Sequence, residues 1–207
     1  MLNRVFQTTA FLACLLISST AFSQVGFGPK VGVNFSNVKI DSDNLDVETE
    51  GKTDLSLGLI FELPIAKFLM IQPEVTYLGR GYRQDFPLIG ESTYNVAYID
   101  VGALAKLRFG DESAITLGAG PFFSYAISGK LKNDAGEADV DFDDYKRSDF
   151  TLATALGFEL GSRESLRFFG DIRYLIGMGD LNADNNSVDY KTYNRVFNIN
   201  AGILISL

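Results

Sequence analysis

The chain ends in Tyr193-Asn194-Arg195-Val196-Phe197-Asn198-Ile199-Asn200-Ala201-Gly202-Ile203-Leu204-Ile205-Ser206-Leu207, and the alternation within this stretch decides the fold. Tyr193, Arg195, Phe197, Ile199, Ala201, Ile203, Ile205 and Leu207 form a largely apolar set. Asn194, Val196, Asn198, Asn200, Gly202, Leu204 and Ser206 form a mostly small or polar one. Successive side chains of a strand point to opposite faces, so the stretch reads as one strand with two unlike faces. So apolar a strand needs a neighbour on each edge, and a sheet closed into a barrel supplies both.

The same alternation recurs upstream, over about 28–35, 55–63, 69–80, 93–109, 115–125, 150–160 and 166–177, giving eight strands in all. The clearest sets Leu55, Leu57, Leu59, Phe61 and Leu63 against Ser56, Gly58, Ile60 and Glu62. Long polar connections follow the first, third, fifth and seventh strands (36–54, 85–92, 129–149, 179–191). Short ones follow the second, fourth and sixth (64–68, 110–113, 162–165). Outer-membrane barrels show this asymmetry, with short periplasmic turns, longer external loops and both termini inside. Most segments reach the ~9–11 residues that a tilted strand needs to cross a bilayer. The reading is an all-β, eight-stranded antiparallel up-and-down transmembrane β-barrel.

Gly32, Gly58, Gly102, Gly118, Gly120, Gly157, Gly177 and Gly202 all lie on the less apolar face, which fits the crowded lumen of a small barrel. The other face is nearly free of charge through its centre, as lipid contact requires. Tyr77, Tyr125, Tyr174 and Tyr193 fall towards the external strand ends as an interfacial girdle. Arg195 lies there too, within reach of headgroup or lipopolysaccharide phosphates. Pro29, Pro73 and Pro121 fall within strands and are expected at bulges or strand ends.

Residues 1–23 read as a signal peptide: Arg4 is followed by an apolar run over 5–17 and by Ala21-Phe22-Ser23, with cleavage expected between Ser23 and Gln24. The barrel domain is then 24–207. Cys14, the only cysteine, lies in the leader without a well-formed lipidation site, so disulfides and thiolate metal sites are excluded from the rest. Removing 23 of 207 residues, Arg4 among them, leaves 184 with 17 basic and 26 acidic side chains, a net charge of −9. Nucleic acid is not an expected partner of so acidic a chain. No later run of 18 apolar residues offers a membrane helix.

The lumen face carries Glu62, Glu74, Asp100, Glu159 and Asp171 with Arg80, Lys106, Arg108, Arg167 and Arg173. A carboxylate pair could serve as general acid and base. Opposite charges crowded into a narrow interior must pair, however, and a structural network is the better reading. Glu74 and Asp171 come out at similar height, with Lys106 and Arg173 nearby. Tyr98, Leu104, Phe122 and Phe169 on the same face predict a filled lumen. The chain has no histidine, which removes Ser-His and His-Asp catalysis and imidazole metal sites. No catalytic, cofactor or metal residue is assigned. Asp139, Asp141, Asp143 and Asp144, like Asp180, Asn182 and Asp184, alternate as calcium ligands do. They lack the glycine and glutamate of a calcium loop, so solvated external loops are expected. Phe142 and Tyr145 are candidate partner contacts.

Gly28-Pro29-Lys30-Val31-Gly32-Val33-Asn34-Phe35-Ser36, Gln72-Pro73-Glu74-Val75-Thr76-Tyr77, Tyr98-Ile99-Asp100-Val101 leading to Lys106, and Asp171-Ile172-Arg173-Tyr174 occur in that order. In this the chain resembles the PorT-like outer-membrane barrel family of Bacteroidetes, with Gly102 where that family usually has proline. Asn200, Gly202, Ile205 and Leu207 look like the signal read by the barrel-insertion machinery, which usually ends on an aromatic residue. The resemblance implies location and fold, and no activity. The expectation is a cofactor-free, non-catalytic protein of the cell outer membrane. Its surroundings are lipid and lipopolysaccharide, and its acidic external loops face an unknown protein or small ligand. The alternatives are a narrow transport or small-ligand-binding barrel, a soluble lipocalin-like binding barrel, and a lipid-modifying enzyme, the last disfavoured by the missing histidine.

Overall fold

The computed structural model describes residues 25–42, 50–86, 90–133, 136–140, 142, 146–181 and 190–207. Among these residues nine strands are formed: β1 (Gly26–Ser42), β2 (Glu50–Ala66), β3 (Leu69–Phe86), β4 (Gly90–Gly110), β5 (Ser113–Asn133), β6 (Gly136–Asp139), β7 (Ser148–Gly161), β8 (Leu166–Gly177) and β9 (Tyr190–Ser206). Every pairing is antiparallel. β4 pairs with β5 and β1 with β9, so eight strands close into a ring. The ninth, β6, is a four-residue extension paired with the far end of β5.

The strands run longer than the apolar alternation indicates. Residues 36–42, 50–54, 90–92 and 129–133 belong to ladders rather than to connections. Hydrophobic alternation ends where the apolar belt ends, whereas backbone pairing continues under polar side chains, as at Thr93↔Lys132 and Ser36↔Lys52. The connection after β3 therefore shrinks to residues 87–89, and long connections remain after β1, β5 and β8. At the opposite end, Gly110 and Gly161 open short turns at φ 122°, a backbone region that side chains disfavour.

The three prolines do not mark bulges or strand ends. Each keeps its ladder on one side, at Pro29↔Leu59, Pro73↔Ala103 and Pro121↔Leu152, and interrupts it on the other without a change of register. Register shifts fall elsewhere, between Gly51 and Ser56, Pro64 and Ala66, and Ala97 and Tyr98. A proline has no N–H for the neighbouring carbonyl. At two of the sites a glycine precedes it and the orphaned carbonyl closes in. A Cβ at Gly28 would lie 1.7 Å from the Ile203 oxygen, and one at Gly120 would lie 1.9 Å from the Ala103 oxygen.

The two faces have inverted polarity. Leu57, Leu59, Leu117, Phe123, Phe158 and Ile199 point outward and are each more than two-fifths exposed. Lys30, Glu74, Arg80, Glu159 and Arg167 point inward and are each at most 4% exposed. The glycines of the small-residue face line the interior as expected. A lipocalin needs the reverse, an apolar cavity and a polar exterior, and that alternative is overturned.

Candidate functional site: the charged interior and its mouth

Among the described residues three buried groups of ion pairs fill the ring, and a fourth pair, Lys52 with Asp54, lies half-buried beyond them towards the long connections. Nearest the short turns, Lys106 Nζ contacts Glu62 and reaches Glu159 Oε1 at 2.6 Å. Arg108 Nε meets Glu159 Oε2 at 2.9 Å, and Arg167 Nη1 meets Glu62 at 2.7 Å and Glu159 at 2.9 Å. The second group joins β1, β3, β8 and β9. Arg173 Nη1 reaches Glu74 at 2.7 Å, and Arg173 grips Asp171 with Nε at 2.7 Å and Nη2 at 2.8 Å. Lys30 closes on the same Glu74 oxygen as Arg173, while Gln72 and Asn200 donate to Glu74 and Asp171, each at 2.7 Å. In the third, Arg80 Nη2 meets Asp100 at 2.5 Å, Arg80 Nη1 lies 3.8 Å from Asp149, and Asn194 donates to Asp149 at 2.9 Å.

All ten charged residues expected in the lumen are there, although Lys106 joins Glu62 and Glu159 rather than the Glu74–Asp171 group. Strand tilt offsets positions that a count from the turns makes level. Lys30 and Asp149 were missed, as were Lys52 and Asp54, which lie in the stretch expected to be a polar connection. Lys30 shares the parity of Gly32 and was legible; Asp149 looked like loop because the apolar alternation of β7 starts only at Phe150. With these two, the three groups hold six cations and six carboxylates, so the interior carries no net charge from them. That neutrality is what makes burial tolerable. Buried Arg80 Nε, Asp100 Oδ1 and Arg167 Nε have no hydrogen-bond partner among the described residues, places that ordered water can satisfy.

Apolar clusters occupy the space between these groups. Ile60, Phe169 and Leu204 form one, and Leu104, Phe122, Ala153, Leu175 and Val196 a second. Leu78, Val96, Tyr98 and Ala126 form the third, with Phe142 packed against it. The four inner side chains expected to fill the lumen therefore do so. A cavity bordered by Gln72, Leu104, Lys106 and Arg173 measures about 10 Å³, space for about one water.

Phe142 is half-buried. It turns inward onto the third cluster, and the Arg147 guanidinium stands 4.2 Å from its ring centre. The Lys146 amide donates to the Leu181 carbonyl at 2.9 Å, and the Leu181 amide to the Thr192 carbonyl at 3.0 Å, which ties the two long connections together over the mouth. Of the acidic loop positions, Asp139 ends exposed β6, and Asp180 Oδ1 accepts from the Thr192 amide at 3.0 Å. Asp141, Asp143, Asp144, Tyr145, Asn182 and Asp184 lie outside the described residues, as do Ser23 and Gln24. At the C-terminus, Asn200 and Gly202 face inward; Ile205 and Leu207 lie outward, 46% and 72% exposed.

No curated protein matches the chain. Among solved structures it is similar to the outer membrane protein OprG from Pseudomonas aeruginosa. Identity is 13%, with 89% of this chain and 96% of that one covered and a TM-score of 0.58. It is also similar to Neisserial surface protein A, at 13% identity, 87% and 97% coverage and a TM-score of 0.51. At such identities the likeness shows the fold. Residues 18–183 match the family described as "Outer membrane protein beta-barrel domain", which places the protein in the outer membrane. With its ring of antiparallel strands, apolar exterior and charge-balanced interior, the chain belongs to that outer membrane β-barrel family.

Proposed function

We propose that this is a non-catalytic, closed barrel of the PorT-like group, which acts by presenting the ends of its long connections outside the cell. The single observation that carries the reading is the interior, where mutually neutralising ion pairs alternate with apolar clusters. Charge arranged in that way holds strands together and, among the described residues, fills the lumen instead of lining a path for a solute. The absence of histidine from the sequence supports the non-catalytic part. In this reading residues 1–23 are removed on export, the short turns face the periplasm, and Asn200, Gly202, Ile205 and Leu207 guide insertion by the barrel-assembly machinery.

Two measurements test it. Fractionated cells should yield the protein in the outer membrane with a band that runs faster unheated than heated. Purified protein in planar bilayers should show no steady conductance. Stable single-channel openings would replace the closed barrel with the narrow transport reading.

A further inference from the structure

The outer wall is not uniform. Between β7, β8 and β9 an open groove of about 260 Å³ is bordered by Thr154, Leu156, Ile172, Tyr174 and Phe197, with Thr154 a small polar residue among larger apolar ones. Tyr174 pairs with Phe197 across the β8–β9 ladder, and Ile176 with Arg195. Arg195 therefore stands two residues further towards the long connections on the same outer face, roughly 7 Å along the strand. The β1–β9 register continues the row: Asn37↔Arg195, Lys39↔Tyr193, Asp41↔Lys191. Lys39 and Lys191 are exposed, and Arg195 is held at the wall by bonds from Nη1 to the Gly177 and Asn194 carbonyls, both at 2.9 Å. Lys39, Lys191 and Arg195 thus stand at the outer end of a largely apolar groove, on a protein whose formal net charge is −8.

We propose that this sector binds a phosphorylated, multiply acylated glycolipid of the outer leaflet, its phosphates against Lys39, Lys191 and Arg195 and one acyl chain in the groove below. The cations supply charge complementarity to phosphate, and the groove is continuous with the lipid-facing belt. Several cations spread over two strands suit a headgroup bearing more than one phosphate. Arg195 is fixed before binding, so little freedom is lost when a phosphate docks.

The inference rests on the outer-membrane reading, and the test keeps the two apart. Folded protein in detergent, verified by its unheated gel band, is titrated with bis-phosphorylated lipid A, dephosphorylated lipid A and phosphatidylglycerol, and retention is read by native mass spectrometry. Bis-phosphorylated lipid A should be retained best. Lys39→Ala/Lys191→Ala, which leaves the Arg195 bonds intact, should weaken it roughly tenfold or more. Thr154→Phe, which fills the groove, should weaken both forms of lipid A. Equal retention of phosphatidylglycerol would overturn the glycolipid assignment. Folded variants that retain lipid A like the parent would overturn the site, and a parent that never gives the folded band would instead overturn the barrel reading.

Discussion

Ser36 on β1 and Gly81 on β3 bond to each other twice inside the ring, although β2 lies between their strands: Ser36 Oγ donates to the Gly81 carbonyl at 3.0 Å and accepts from its amide at 3.0 Å. Asn34 repeats the link one dyad lower, its Nδ2 donating to the Gly79 carbonyl at 3.1 Å. The register shift between Gly51 and Ser56 in β2 accompanies this pinch. Ser36→Ala strands a buried amide and should cost about 1–3 kcal/mol. Urea titration of the folded band in detergent measures it, and a midpoint like the parent's would show the link to be dispensable.

The charge network gives a sharper contrast. Glu159 accepts from Lys106, Arg108 and Arg167. Glu159→Gln leaves three buried cations facing Glu62 alone and should destabilise by about 3–5 kcal/mol. Lys132→Ala, on an exposed ion pair with Glu137, should stay within about 0.5 kcal/mol. Similar losses in both would mean that the interior is wetter than its burial indicates.

Gly28→Ala should block folding, because its Cβ would meet the Ile203 carbonyl oxygen at 1.7 Å and neither backbone can yield without opening the β1–β9 seam. Pro29→Ala, by contrast, restores a donor beside that carbonyl and should be tolerated. Yields of folded band after refolding into detergent compare the two.

The lipid-facing assignment makes its own demand. Leu59, 47% exposed, lies midway along the outward row of β2. Leu59→Arg should destabilise by roughly 2–4 kcal/mol in lipid vesicles, as expected near the bilayer centre. A neutral effect would take this face out of the membrane.

Beyond the belt, hydrogen bonds from Lys130 and then Lys132 hold the Glu137 carboxyl down at about 2, against an ordinary 4.5. A depressed carboxylate adds stability above its ordinary value and loses it as pH falls through the folded one. The β5–β6 extension should therefore loosen between about pH 4.5 and 2. Side-chain NMR of Glu137 should give a midpoint well below 4.5, moving up with added salt because the pair is solvated. An unshifted midpoint would show that the ion pair does not form.

Much of the architecture was legible because period-two alternation follows from backbone geometry and from the solvent on each face. That logic placed the ring, the inward glycines and all ten expected lumen charges. It failed where the belt ends, since a ladder such as Thr93↔Lys132 needs no apolar side chains, and it could not see β6.

The sequence by itself determined which face each side chain of the apolar belt takes, and with it the inverted polarity that makes this a membrane protein. Tertiary structure alone decided the partners. That Lys106 joins Glu62 and Glu159, that Phe142 folds inward, and that Pro29, Pro73 and Pro121 sit in unbroken register all depend on shear between tilted strands. Shear is set by closing the whole ring, and no single segment carries it.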